Sequence, residues 1–275
     1  MNTAIPMCEP RMLTEGAWYL RSDLSAQGSA ADLLRLMGVP FDDPQIGDGV
    51  SVSTRRIRAG ATLFHEGARA QAIYFVAVGT FKCLHIAEDG YEQVLGFAGR
   101  AEVMGYDAVC SGEHPTTAIA LEDSTVHALA LNDMFTLCQR VPALDRVLHL
   151  TLSRQLVHQV EIADLMAAVA AEVRLARFLV QLSERMAERG QSPRRMLLRM
   201  SRRDIASHIG VAHETVSSSF GTLVHLGCLA VCNREVEILD LERLKSCASN
   251  TRGLADGHFP RHHEAPASLR QAAYA

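Results

Sequence analysis

Two hydrophobic rhythms run along the chain, and the change from one to the other divides it. From Val50 to Leu131 apolar residues recur close to every second position, in the short runs Ala72–Val78, Phe81–Ile86, Gln93–Phe97 and Thr125–Leu131. Gly60, Gly67, Gly79, Gly90, Gly99, Gly105 and Gly112 punctuate them. Strands of that length, with a turn residue about every ten positions, predict an antiparallel sandwich or roll. Glu88-Asp89-Gly90 suits a hairpin turn, because glycine takes positive φ without strain.

Beyond Leu131 the rhythm lengthens. Asn132-Asp133 is placed to cap a short helix, and Pro142 to open a much longer one. No Gly or Pro interrupts the chain from there to about Ala170. Leu148, Leu152, Leu156, Gln159, Ala163 and Met166 recur at three- and four-residue steps, while Val147, Leu150, Val157 and Val160 crowd adjoining faces. A helix apolar on more than one face needs partner surface. A long core helix would satisfy this; a dimer seam through Leu148, Leu152, Leu156, Gln159 and Ala163 is the favoured reading. Glu172 to Arg189 forms a second helical stretch, closed by Gly190 with Pro193 just beyond. At the two ends, residues 1–48 read as a loose extension holding one short helix, Ser29 to Met37. The tail from 249 has no usable period and is expected to be disordered.

Composition narrows the classes. In 275 residues, 48% are hydrophobic and 21% charged, which predicts a packed core. No apolar run reaches the roughly 18 residues of a membrane span, and the N-terminus lacks a signal peptide's charged start and apolar stretch. A cytoplasmic protein is expected. The net charge of −4 argues against non-specific coating of nucleic acid but leaves room for a local patch. Arg194, Arg195, Arg199, Arg202 and Arg203 face only Asp204 and Glu214 between Arg194 and Leu226. Seven cysteines, none in a C-x-x-C pair, predict neither a disulfide framework nor a zinc site of paired spacing; most read as inert thiols.

Residues 202–221 read RRDIASHIGVAHETVSSSFG. Ser201 can cap a helix from Asp204 to Ile209, Gly210 breaks it, and a second helix starts near His213. Small Ala206, Gly210 in the turn and inward Val216 fit the packing of a helix-turn-helix, with Ile205, Ile209, Phe220 and Leu223 completing a small core. The opposite face carries His213, Glu214, Ser217 and Ser218, short polar groups suited to base edges in a major groove. On spacing alone, an ordinary helical hairpin with a solvated face fits equally well. Position favours the DNA reader: the arginine patch precedes it, and the alternating segment Cys228–Leu239 after it looks like a β-hairpin wing.

The stretch SERMAERGQSPRRMLLRMSRRDIASHIGVAHETVSSSFGTLVHLGCLAV resembles the DNA-binding domain of CRP/FNR regulators, its fumarate–nitrate branch above all. DGYEQVLGF, SGEHPTTAIALEDSTV and the spaced Gly67, Gly79 and Gly105 are similar to that family's β-roll. The resemblance runs from about Ile57 to Leu244. It implies an α+β chain: an N-terminal antiparallel β-roll of the cyclic-nucleotide-binding jelly-roll kind, a long central dimerisation helix and a C-terminal winged helix-turn-helix. The expected spans are 1–48 extension, 49–141 roll, 142–170 dimer helix, 171–248 DNA-binding domain and 249–275 tail. It further implies a homodimer that binds double-stranded DNA at a palindromic site and works with RNA polymerase.

By that resemblance Glu214 and Ser217 match base-reading positions, and Arg202 and Thr215 match phosphate contacts. The family has an arginine after the serine, where this chain has Ser218. A cyclic nucleotide would need an acid and an arginine where this chain has Tyr106 and Thr116, with Arg100 expected on the surface, so no nucleotide is expected. The branch's iron–sulfur cluster uses three close N-terminal cysteines and one in the roll; here only Cys8 and, at the roll position, His127 stand there, so no cluster is expected. No metal ligand set is expected either, because His65, His85, His114, His127, His149 and His158 lack paired spacing. Haem stays open, since one axial histidine suffices. No nucleophile–base grouping, phosphate loop or metal motif points to an enzyme. The alternative to a DNA reader is a ligand-sensing roll that acts through protein partners with weakened DNA binding.

Overall fold

The structure, a computed structural model, describes residues 26–41, 49–168 and 170–250. The chain divides into two compact units, Met1–Arg154 and Gln155–Ala275, and the division falls within one long helix.

The first unit is a roll of two antiparallel sheets. Its elements are β1 (Ala26–Gly28), α1 (Ala30–Leu36), β2 (Val52–Ile57), β3 (Thr62–Phe64), β4 (Ala72–Val78), β5 (Phe81–Ile86), β6 (Glu92–Ala98), β7 (Val103–Met104), β8 (Thr117–Ala120), β9 (Ser124–Ala130) and α2 (Leu131–Arg140), leading into α3 (Pro142–Ala167). One sheet has the order β1-β2-β9-β4-β7 and the other β3-β8-β5-β6. Strand β4 is apolar without alternation because both its faces are covered. Tyr74 and Val76 pack with Phe64, Phe81 and Val126 between the sheets. Ile73 and Phe75 pack with Met134, Leu137 and Leu144 of α2 and α3. Burying a side chain such as Phe75 stabilises by about 1.5–3 kcal/mol. Gly79 is obligatory between β4 and β5: its φ is +98°, and a Cβ there would lie 2.0 Å from Ser124 Oγ.

Three expectations are corrected here. The described part of the N-terminal extension is not loose. Ser29 caps α1 by accepting from the Asp32 N–H, Leu33 and Leu34 are buried in the roll's core, and β1 pairs with β2. The remainder of that extension, with Cys8, and the tail beyond Asn250 lie outside the described residues. Asn132-Asp133 does not cap α2, which begins at Leu131; Asp133 Oδ2 instead accepts from the Ser51 N–H at 2.9 Å. Leu148 is not on a free seam. Together with Leu144 it is buried in the roll's core beside Met134 and Val141. Further along α3, Leu152 is half-buried, whereas Leu156, Val157, Gln159, Val160 and Ala163 are exposed, Leu156 and Val160 by about 70%.

The second unit comprises α4 (Ala171–Glu188), β10 (Arg195–Leu197), α5 (Arg202–Ile209), α6 (His213–His225), β11 (Leu229–Cys232), β12 (Glu235–Ile238) and α7 (Leu241–Ser249). Val173, Ala176, Phe178 and Leu179 make α4 amphipathic, and α5, α6 and α7 pack on it. The wing has three strands in the order β10-β12-β11, one more than the hairpin the sequence pattern predicts. Asp240 caps α7 by accepting from the Arg243 N–H at 2.9 Å.

Candidate nucleic-acid interface

Helix α5 starts on a reciprocal cap: Ser201 Oγ accepts from the Asp204 N–H at 3.1 Å, and Asp204 Oδ2 accepts from the Ser201 N–H at 2.8 Å. Such boxes satisfy two otherwise orphaned donors. The helix ends at Gly210, whose φ is +65° and whose absent Cβ leaves room for Met166 Sδ. Ile205, Ala206 and Ile209 from α5 meet Val216, Phe220 and Leu223 from α6 as buried residues, as the spacing predicts. Two arginines on α4 that sequence reasoning missed fasten this corner. Arg174 donates from Nη1 to the carbonyls of Ile209 (3.0 Å) and Gly210 (2.9 Å), and from Nε to that of Ala168 (2.8 Å). Arg177 donates to the Ala248 carbonyl at 2.8 Å and pairs with Asp164 at 3.0 Å. Their only sequence signal was an arginine at three-residue spacing in an otherwise amphipathic helix.

With Val216, Ser219, Phe220 and Leu223 turned inward, α6 presents His213, Glu214, Ser217 and Ser218 on one exposed face, with Gly221 and Thr222 continuing it. Thr215 is half-buried beside that face. Ser218 Oγ donates to the Thr215 carbonyl at 2.9 Å, so the fold already uses its proton.

Beside His213 lies a recess of about 300 Å³ lined by Leu198, Met200, Ser201, Arg202, Arg203, His213, Asn233 and Arg234. It joins the start of α5, the start of α6 and the wing turn, where Asn233 takes a φ of +54°. Arg202 is more deeply engaged than a simple phosphate contact. Its guanidinium lies 3.6 Å over the Phe220 ring, its Nη2 reaches the Asn233 carbonyl at 3.4 Å, and burial lowers its pKa. Arg203 and Arg234 are exposed. Arg234 was missed because only the wing turn brings it here. Arg195 leaves the predicted patch: it pairs with Glu237 at 3.0 Å across the strand register Arg195↔Glu237.

In the roll, Tyr106 and Thr116 are half-buried and Arg100 is exposed, its Nη1 3.5 Å from the Ala77 carbonyl. His127 pairs in register with Thr54, whose hydroxyl is 3.0 Å from Nδ1, and burial lowers its pKa. His114 is buried and stacks 3.9 Å from Phe64 at 13°, and burial lowers its pKa as well. Burial pushes the Cys83 thiol up to about 12 and that of Cys138 to about 11. Among the described residues no three His, Cys, Asp or Glu side chains cluster as metal ligands would. No described helix is long and apolar enough to cross a membrane.

A β-roll followed by a long helix and a winged helix-turn-helix with an exposed polar recognition face defines a DNA-binding transcription regulator. The cyclic nucleotide-binding domain family matches residues 54–141, and the Crp-like helix-turn-helix domain family matches residues 173–247. The chain belongs to the CRP/FNR family, a family of regulators rather than enzymes. It is 34% identical over 208 residues to the fumarate and nitrate reduction regulatory proteins of Salmonella typhimurium and Escherichia coli, covering 76% of this chain and 83% of each relative. Among solved structures it shares its fold with FixK2 from Bradyrhizobium japonicum, at a TM-score of 0.65 and 23% identity over 72% of this chain and 98% of that one. CooA from Carboxydothermus hydrogenoformans gives 0.64 at 20% identity, covering 79% and 95%.

Proposed function

We propose that this regulator works in the cytoplasm as a homodimer that reads a palindromic promoter site, inserting α6 of each protomer into the major groove and acting with RNA polymerase. The observation that carries this is the exposed face of His213, Glu214, Ser217 and Ser218 beside the arginine-lined recess. Glu214 can accept from cytosine N4, and Ser217 can bond either purine or pyrimidine edges. The recess takes a backbone phosphate, with Arg203 and Arg234 supplying charge and Arg202 the rigid floor. Thr215 adds a hydroxyl at the same edge.

Dimerisation uses the exposed half of α3, through Leu156, Val157, Val160 and Ala163, with Leu152 and Gln159 flanking. An apolar stripe of this kind on a helix is unfavourable in water and is covered in a helix pair. Leu148, enclosed in the roll, takes no part.

The roll's signal is neither a cyclic nucleotide nor an iron–sulfur cluster, and the residues present fit neither group. Tyr106 and Thr116 offer no charged partner for a cyclic phosphate. A cluster held mainly by thiolates would find only Cys8 at the N-terminus and His127 at the matching position of the roll. The test of the whole reading is a selection from randomised duplexes by the purified protein. A two-fold symmetric consensus supports it; recovery of random sequence favours a roll that acts through protein partners.

A further inference from the structure

Cys228 and Cys247 bring their sulfurs within 3.8 Å of each other, both in buried side chains. Cys228 is a joint in the DNA-binding unit. Its N–H donates to the Leu223 carbonyl of α6 at 3.0 Å, and its carbonyl accepts from the N–H groups of Leu239 (2.9 Å) and Asp240 (3.4 Å). It follows Gly227, which closes the recognition helix at a φ of +72°. Cys247 approaches from α7. A disulfide spans about 2.05 Å between sulfurs, so the present gap closes with a movement below about 2 Å.

We propose that Cys228 and Cys247 form a reversible intramolecular disulfide when the protein meets a small peroxide, and that this bond lowers affinity for DNA. The Cys228 sulfur acts first. Hydrogen-bond donation by Cys247 and the Arg243 guanidinium lower its pKa, while the same contact and burial raise that of Cys247. The Cys228 sulfur, giving up its proton, attacks one peroxide oxygen; the O–O bond breaks, and the departing hydroxide takes that proton to leave as water, with a sulfenic acid on Cys228. The Cys247 sulfur then attacks the Cys228 sulfur, its proton and the hydroxyl depart as a second water, and the S–S bond is formed. In total two thiols give up two electrons, and one hydrogen peroxide becomes two waters. Entry needs a partial opening of α7, the last described helix, which is held to α4 by the Arg177–Ala248 hydrogen bond and by the exposed pair Lys245–Glu184. Once closed, the bond draws α7 towards the joint that holds the end of α6 and the start of the wing, and so changes the spacing of the two DNA-contacting elements.

The experiment uses the full chain with the exposed Cys110 and Cys232 replaced by alanine, to suppress bonds between molecules. The protein is treated with hydrogen peroxide, digested and mapped, and its affinity for the selected duplex is measured before treatment, after it, and after dithiothreitol. The expected result is a Cys228–Cys247 cross-linked peptide and an affinity loss of about fivefold or more, the lower end of ordinary coupling between sites. Dithiothreitol restores the affinity, and adding Cys228→Ala or Cys247→Ala abolishes both effects. Unlinked peptides overturn the proposal, and so does a linked protein with unchanged affinity. The affinity arm rests on the DNA-reading function, whereas the mapping does not and needs no substitution in the core, so failure of the two is distinguishable.

Discussion

His114 of the roll and the exposed face of α6 in the winged helix place their polar side chains in opposite ways. In the roll, His114 is enclosed, stacked on Phe64 beneath Gly105, whose missing Cβ would stand 3.0 Å from the imidazole. In the winged helix, His213, Glu214 and Ser217 stand exposed on a face whose reverse side is fully packed. The difference teaches where recognition lies. A polar group that the fold has enclosed is withheld from partners, while an exposed row opposite a packed core is available to one. Ser218 stands between the two cases, exposed yet bonded to the Thr215 carbonyl.

The comparison breaks most visibly at α3, where one end is packed into the roll and the other is exposed, the half proposed to form the dimer. Replacing both Leu156 and Val160 with Glu should give monomers in sedimentation. Specific affinity should drop by roughly 10²–10⁴-fold, because two linked half-sites become one. Intact dimers in that variant would remove the seam. Leu148→Ala should do the reverse. It should leave the dimer in place while costing the roll about 2–5 kcal/mol in denaturant unfolding, the usual cost of a cavity at a buried leucine.

At the recognition face, Ser218→Arg should add a bidentate guanine contact worth about 1–3 kcal/mol. Randomised-site selection should then show strict guanine at a position that the parent protein leaves degenerate. Identical selected sites from the two proteins would assign that base to another residue. The smallest effect belongs to the roll. The pKa of His114 is held below its ordinary 6.5 by burial, with Asp107 partly opposing. Between that lowered value and 6.5 the unfolded chain carries a proton that the folded one does not, so stability is full above 6.5 and declines as pH falls below it. His114→Phe should lessen this acid-side decline in thermal unfolding, while the share of His127, which shifts in the same direction, remains.

Much of this architecture was legible in the residues because it is set locally. The runs Ala72–Val78 and Phe81–Ile86 are strands with those bounds, and Ser201, Gly210 and Val216 take the cap, turn and inward positions their chemistry requires. The misses depend on tertiary placement. Leu148 and Leu156 belong to one helical repeat, and only the packing of α2 and β4 decides that the first is enclosed. Arg234 joins Arg203 because the wing folds back at Asn233, and Arg195 departs because a third strand pairs it with Glu237. Arg202 holds a matched position, but its stacking on Phe220 makes it part of the packing as well, so a change there alters more than charge.

That distinction decides which substitutions test the interface most cleanly, and they are Glu214→Ala and Arg203→Ala. Affinity should be measured for the selected duplex, for the same duplex changed at the base pair facing Glu214, and for random DNA, over a range of salt. Glu214→Ala should cost about 1–3 kcal/mol on the selected duplex and almost nothing on the other two, leaving the salt slope unchanged. Arg203→Ala should weaken all three alike and reduce the slope of log K against log salt by about one for each phosphate it no longer neutralises. Equal losses from both variants on every duplex would contradict the assignment of α6 as the element that reads sequence.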